Sequence, residues 1–192
     1  EVVHLNRQAL PGDFAVLLGE EFLARVLFPE LLRASEVALG AEDSNGLVAF
    51  VFFSSDHGFF PRLVRRRSLV MLRYAIRKLV YLSFLQYLGE VLLLLLSRRG
   101  SLAKYELSYI AVRPKYQGRE VGSRLTKAGL ETLSEYGASD CWVKTMNATP
   151  LNVRFYEKLG FRMVKSHLGR TYLAMHFESS QNRRQDDTAG GR

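Results

Sequence analysis

The residues best able to do chemistry fall in one half of the chain: Glu106, the run from Ile110 to Ser123, and Tyr156. A carboxylate can take a proton from an amine, and a phenol can give one to a leaving group. Between them, Ile110-Ala111-Val112 reads as an apolar strand that leaves through Arg113-Pro114 into a glycine-bearing loop. The loop, Gln117-Gly118-Arg119-Glu120-Val121-Gly122-Ser123, leads into a segment patterned as a helix from about Val121. Such a loop turns successive N–H groups toward one point at the positive end of a helix, which suits a phosphate or pyrophosphate. Gly118 and Gly122 let the backbone approach an anion where a side chain would intervene, and Arg119 and Arg124 add positive charge. By spacing alone the same loop also reads as a tight strand-to-helix turn. Likewise Tyr156 reads as a core aromatic at helical spacing with Val153 and Leu159, and Glu106 as a solvated carboxylate at a strand end.

Gln117-Gly118-Arg119-Glu120-Val121-Gly122 resembles the acetyl-CoA loop of the GNAT superfamily of N-acetyltransferases, whose pattern is Gln/Arg-x-x-Gly-x-Gly/Ala. Arg154-Phe155-Tyr156-Glu157-Lys158-Leu159-Gly160-Phe161 resembles that family's second signature, at the expected separation. The resemblance runs from Glu106 to Phe161, extends to residues 1–54 and is absent from 57–100. It implies an α/β fold, a twisted mixed sheet with helices on both faces and a helical insert before the fourth strand. It also implies acetyl transfer from acetyl-CoA, as co-substrate, to an amine by direct attack without a covalent enzyme intermediate. By that resemblance Tyr156 protonates the departing thiolate, and Glu106 collects the amine proton directly or through water. Glu90, alone in an apolar run, is a second candidate for the base. The backbone of Ile110, Ala111 and Val112 would pair with the pantetheine arm as an added strand, and an N–H there would polarise the thioester carbonyl. Gln117, Gly118, Arg119, Glu120, Val121, Gly122 and Ser123 would cradle the pyrophosphate.

Two positions depart from the family pattern. Glu120 stands where glycine is usual. A carboxylate repels pyrophosphate and a non-glycine residue tolerates positive φ poorly, so Glu120 is expected either to turn to solvent or to weaken the cofactor. Thr149 stands where the family often has asparagine, seven residues ahead of the tyrosine; Asn147 and Asn152 are the nearby substitutes for a cofactor contact.

A length of 192 residues suits one domain with a real core, and 47% hydrophobic with 24% charged residues is ordinary for a globular chain. The net charge of +8 and pI near 9.8 favour acidic ligands or surfaces. The lone cysteine, Cys141, excludes an internal disulfide framework and reads as a buried thiol, which fits a reducing compartment and hence the cytoplasm. The chain begins at Glu1 without a methionine, and no secretory signal pattern is visible in it. The four histidines lie far apart, so no metal-ligand spacing appears; a nucleophile elbow and a Lys-Ser or Lys-Thr after the glycine loop are also missing. Metal, hydrolase and nucleotide triphosphatase readings are therefore weak.

Along the chain, residues 2–5 alternate as a first edge strand, Pro11-Gly12 opens helical residues, and 20–33 repeat apolar residues at helical spacing. Residues 36–41 and 47–54 are strand-like, with Asn45-Gly46 as a hairpin signal. Strands follow at 104–112 and 140–145, a helix at 123–136 closed by Gly137, and a helix opened by Thr149-Pro150 and ended at Gly160. Residues 162–167 and 170–177 make a last hairpin, and 178–192 form a polar tail expected to be disordered. The acetyltransferase domain that the resemblance implies is 1–177, with 57–100 as its basic and apolar insert. In the insert, Arg62, Arg66, Arg73 and Arg77 share roughly a 60° arc at helical spacing. That basic face, beside the presumed acceptor entrance, favours a small acidic amine such as an amino-sugar nucleotide. Other readings of the insert are packing on the sheet or on a second subunit, as in a homodimer, peripheral membrane contact, and a span through Leu79–Leu96 that the near-central Glu90 disfavours. The alternative to an enzyme is a non-catalytic module that keeps coenzyme A and docks on membrane or nucleic acid through this face. A nucleic-acid module by itself lacks any recognised motif.

Overall fold

The computed structural model describes residues 1–56, 59–67, 69, 73–74, 89, 103–146, 150–167 and 169–177. The remaining insert, including Arg77, Glu90 and most of Leu79–Leu96, lies outside the described residues, as do Asn147, Thr149 and the tail from 178. Among the described residues no helix is long and apolar enough to cross a membrane.

Six strands form one sheet: β1 (Val37–Asp43), β2 (Gly46–Ser54), β3 (Tyr105–Val112), β4 (Asp140–Met146), β5 (Arg162–His167) and β6 (Arg170–His176), in the order β1-β2-β3-β4-β6-β5. All neighbours are antiparallel except β3 and β4. The expected mixed sheet is therefore present. On one face lie α1 (Val2–Ala9), α2 (Phe14–Leu18), and a helical run made of α3 (Glu20–Phe22), a π-helical turn (Leu23–Leu27) and α4 (Phe28–Ala34), followed by α5 (Phe59–Arg66). They bury Leu5, Phe22, Leu23, Phe28 and Leu31 against Phe50 and Phe52 of β2. The other face carries α6 (Val121–Glu135) and α7 (Pro150–Lys158), whose Leu130, Leu133, Tyr156 and Leu159 meet Val51, Phe53, Leu107, Val143 and Leu173.

The N-terminus corrects one expectation. Residues 2–5 are not an edge strand but the first turn of α1. Val2, Leu5, Asn6 and Ala9 recur at helical spacing, and Leu5 and Asn6 are fully buried. Two successive valines bias a four-residue window toward strand, whereas the helical period emerges only over eight residues. The π-turn ahead of Pro29 also has a local cause. Proline has no N–H to continue an α-ladder, and the wider turn takes up the break.

Helix α6 is held close to the sheet by a glycine. A Cβ at Gly129 would lie 2.2 Å from Cε2 of Phe53, which is fully buried. Glycine inside a helix costs about 1 kcal/mol against alanine, so this position gives up helix propensity for the close approach. Gly129→Ala is expected to lower the stability of the folded chain by about 1–3 kcal/mol, despite its better helix former, because the overpacking has no free volume to relax into. Urea denaturation checks this; an unchanged or raised midpoint would mean that the Phe53 ring turns aside at no cost.

Candidate active site

Strands β3 and β4 run parallel but pair only at Tyr105↔Cys141 and Glu106↔Trp142. Beyond Glu106 they part, and β3 keeps its ladder with β2 as far as Ala49↔Val112. The β4-facing edge of Leu107–Val112 therefore offers backbone donors and acceptors in the middle of the sheet. An extended ligand arm can complete that ladder. Ile110 and Val112 turn their backbone groups to this open edge, while those of Ala111 between them face β2.

At the outer end of the opening is the glycine loop. Gly118 has φ +74°, and a Cβ at this position would meet nothing within 4 Å, so its conformation rather than its space requires glycine. Glu120 has φ 61°, ψ 0° and is the one non-glycine residue with positive φ among the described residues. It caps α6, accepting the Arg124 N–H at 2.9 Å on its carbonyl, and its side chain is exposed. The first N–H groups of α6, at Val121, Gly122 and Ser123, have no carbonyl one turn earlier to bond, so they point out of the helix end beside the opening. Arg119 and Arg124 are exposed next to them. The loop thus has the conformation expected of an anion cradle, with the Glu120 carboxylate exposed to solvent.

Two residues of the loop also have structural roles. Gly122 is buried with negative φ, and a Cβ there would stand 3.0 Å from Cγ2 of Val112 and within 4 Å of Phe155 and Ile110. Its smallness lets α6 approach β3, so a larger residue would damage the ligand-free fold as well as the loop. The Gln117 side-chain amide donates to the Val112 carbonyl at 3.0 Å and fastens the loop to the strand end. Further ties come from the β1–β2 hairpin. The Tyr116 hydroxyl donates to Asp43, which also accepts the Asn45 N–H at 2.8 Å. Those hydrogen bonds, Tyr116 first, hold the Asp43 carboxyl below its ordinary pKa. Arg113 donates from Nη2 to the Leu47 carbonyl at 2.7 Å and from its N–H to Val48 at 2.8 Å.

At the inner end, where the strands meet, stands Glu106, 5% exposed. Tyr105 and Leu107 point to the α6 face, so Glu106 points to the opposite face, toward α1–α5. The β2 register skips Ser108, passing from Phe53↔Leu107 to Phe52↔Tyr109. This bulge brings Tyr109 to the face of Glu106, although residues three apart in a regular strand oppose each other. The Lys144 ammonium of β4 reaches across the opening to Glu106 at 2.6 Å. Lys144 also sits 5.5 Å from the Trp142 ring, which stacks on Tyr172.

Tyr109, Asn6 and Asp13 adjoin this face and were not singled out by sequence. The Tyr109 hydroxyl lies beside Asn6 and Asp13, and neither it nor the fully buried Asn6 amide has a hydrogen-bond partner of normal geometry among the described residues. Burial, reinforced by the Asp13 charge, pushes the Tyr109 phenol well above its ordinary pKa. Asp13 caps α2 by accepting the Ala15 N–H at 2.7 Å, and burial raises its own carboxyl. Lys144 was missed too. Its signal was a lone charge inside the apolar strand Cys141-Trp142-Val143-Lys144.

Tyr156 is 7% exposed and packs edge-on against Phe155 and Phe161, so the core reading of its ring holds. Burial raises its hydroxyl above the ordinary phenol range, which keeps its proton on at neutral pH. Asn152 is exposed and donates to the Thr145 hydroxyl at 3.3 Å, tying α7 to β4. Cys141 is fully buried with its thiol pushed up to about 12 by desolvation, an inert position. Among the described residues no cluster of His, Cys, Asp and Glu could hold a metal ion.

A parallel strand pair opened at one end thus has a glycine loop and a helix N-terminus at its mouth and a buried carboxylate at its apex. The chain belongs to the acetyltransferase (GNAT) family, whose model matches residues 3–161. It is similar to N-alpha-acetyltransferase 30 of Schizosaccharomyces pombe, 28% identical over 88 residues that cover 46% of this chain and 58% of that protein. The chain thus spans little more than half the length of this curated relative. The same fold occurs in SsHAT, with TM-score 0.60 and 19% identity over 90% of this chain and 92% of that one. It occurs as well in PaiA N-acetyltransferase from Thermoplasma acidophilum in complex with coenzyme A, with TM-score 0.55 and 13% identity over 92% and 91%. Acetyl-CoA is the acetyl donor of the family, and the open β3 edge, the loop N–H groups and the space at Gly118 fit it.

Glu120 gives the loop a direct test. Glu120→Gly removes the left-handed strain of a non-glycine residue, about 1–2 kcal/mol, and a carboxylate from beside the cradle. The expected outcome is tighter acetyl-CoA by calorimetry with no loss in thermal midpoint. Weaker binding would show that the Glu120 side chain itself contributes to the cradle.

Proposed function

We propose that this chain transfers the acetyl group of acetyl-CoA to a primary amine carried by an acidic small molecule, by direct attack. Bound acetyl-CoA supplies a thioester whose carbonyl the amine attacks. In this reading the N–H groups of Val121, Gly122 and Ser123 hold the pyrophosphate, and the β3 edge from Ile110 to Val112 holds the pantetheine arm. Glu106, at the apex where the strands part, takes the proton of the incoming ammonium. The Tyr156 hydroxyl, kept protonated by burial, gives its proton to the departing thiolate.

The acceptor class rests on a groove of about 700 Å³ lined by Glu30, Arg33, Ala34, Asp56, Arg62, Leu63, Arg65 and Arg66. Ser54 pairs with Glu106, and Asp56, which lines the groove, follows two residues later at the end of β2. Of the basic face expected of the insert, Arg62 has a carboxylate partner among the described residues. Arg62 is paired with Asp56, and Arg33 and Arg67 both reach Glu30, at 3.3 and 3.6 Å. Arg65 and Arg66 are exposed, and four guanidinium groups face two carboxylates in the groove. The excess of positive charge favours a phosphate or carboxylate on the acceptor.

Two measurements test this reading. Tyr156→Phe is expected to lower turnover by roughly tenfold to a thousandfold while the binding constant for acetyl-CoA holds; unaltered turnover removes Tyr156 from the chemistry. Replacing Arg65 and Arg66 by glutamine is expected to raise the Michaelis constant for an acidic amine by roughly threefold to tenfold, the range for two surface charges, and the effect should shrink in high salt. The amine panel includes a neutral amine and a short peptide with a free N-terminus, the latter because the yeast relative is named as an N-alpha-acetyltransferase. If the peptide is the best substrate and is indifferent to the arginines, the acidic small-molecule acceptor is wrong.

A further inference from the structure

The apex of the opening already holds an amine. Lys144 lies on the part of β4 that has separated from β3, yet its Nζ crosses to Oε1 of Glu106 at 2.6 Å. Cys141 and Val143 point to the α6 face, so Trp142 and Lys144 point with Glu106 to the opposite one. The Lys144 side chain is 23% exposed and that of Glu106 7%, so the pair is largely withdrawn from water without being sealed off. An incoming acceptor must present its ammonium to this same carboxylate. Lys144 therefore stands where the nucleophile is required, joined to the base that would activate it.

We infer that Lys144 is itself an acetylation site of this enzyme, modified within its own chain. The inference rests on the reading of Glu106 and the open β3 edge given above. Lys144 passes one ammonium proton to Glu106 through the existing contact. The freed lone pair of Nζ attacks the thioester carbonyl carbon, forming the N–C bond as the C–S bond breaks. Tyr156 gives its proton to the departing sulfur and regains one from the second proton that leaves nitrogen, giving free coenzyme A thiol, and Glu106 returns its proton to solvent. The product is a neutral amide, which can donate a hydrogen bond to Glu106 but cannot form an ion pair with it. Self-acetylation therefore removes the positive charge that an external ammonium would otherwise have to displace from Glu106. The pairing of Lys144 opposite Tyr172 on β6, beside the Trp142 ring, gives an uncharged acetyl-lysine an apolar surface to lie on.

The test incubates the full chain with acetyl-CoA and no acceptor, and follows intact mass and peptide maps. Acetyl-CoA binding is measured separately by the shift in thermal midpoint. The expected result is one acetyl group on Lys144, gained at a rate independent of protein concentration, as an intramolecular step requires. Glu106→Gln should slow this by about a hundredfold, the usual scale for losing a general base, while the thermal shift persists. Lys144→Arg should abolish the modification at that position. If acetyl-CoA raises the midpoint but Lys144 stays unmodified, self-acetylation is overturned and the acetyltransferase reading stands. Acetylation of exposed lysines such as Lys127 or Lys158 at the rate of Lys144, unaffected by Glu106→Gln, also overturns it, as simple chemical acylation. Absence of any thermal shift overturns both readings together.

Discussion

Everything at the candidate site depends on two rungs of parallel pairing. Tyr105↔Cys141 and Glu106↔Trp142 join the half of the sheet made by β1, β2 and β3 to the half made by β4, β6 and β5. With more rungs the sheet would close and bury the β3 edge under β4. With none, the halves would lose their common register and Glu106 would have no fixed counterpart. The join is reinforced on the α6 face, where Tyr105, Leu107, Cys141 and Val143 share one cluster with Leu130, Leu133 and Phe161. Packing on that face holds the halves together, which leaves the other face free to open.

The opening is populated by charge rather than left apolar. A carboxylate withdrawn from water is tolerated only with a partner, and Lys144 is one such partner for Glu106. Removing one member of a pair of this kind leaves the other uncompensated, so the two must be considered as a unit in any comparison of variants. The bulge at Ser108 adds a second polar group by turning Tyr109 onto the same wall. Asn6 and Asp13 then connect that wall to α1 and α2. A one-residue slip in the ladder thus decides which side chains the N-terminal helices meet.

Much of this was legible in the sequence, and the parts that were not share a cause. The loop from Gln117 to Gly122 announced itself because glycine, a helix start and a strand end are all local signals, and Gly118 and Glu120 take the left-handed conformations that such a turn needs. The Asn45-Gly46 turn, the glycine after α6 and the Gly160 stop were local in the same way. By contrast, the reason for glycine at 129 lies in Phe53 of β2, far off in the chain, and the reason at 122 lies in how α6 packs on the Val112 side chain, which the pattern of the loop does not show. Lys144 and Glu106 are 38 positions apart, and their meeting follows from parallel pairing that spacing cannot reveal. On the insert, Arg62 of the expected basic face meets Asp56 from the end of β2, and the neighbouring Arg67 reaches Glu30 of α4, carboxylates that a count of arginines alone leaves out.

The open edge of β3 also bears on how such a chain can change over generations. In the proposed reading, a wall that binds through its main chain places no demand on which side chains stand there, beyond remaining extended. Substitutions from Leu107 to Val112 are then filtered by the two packed layers on either side and not by the ligand. What must be inherited intact is a geometry, the point at which two strands part, and that geometry is written in helix packing and two small residues rather than in a row of contact residues. Drift in this segment can be extensive while the opening keeps its shape.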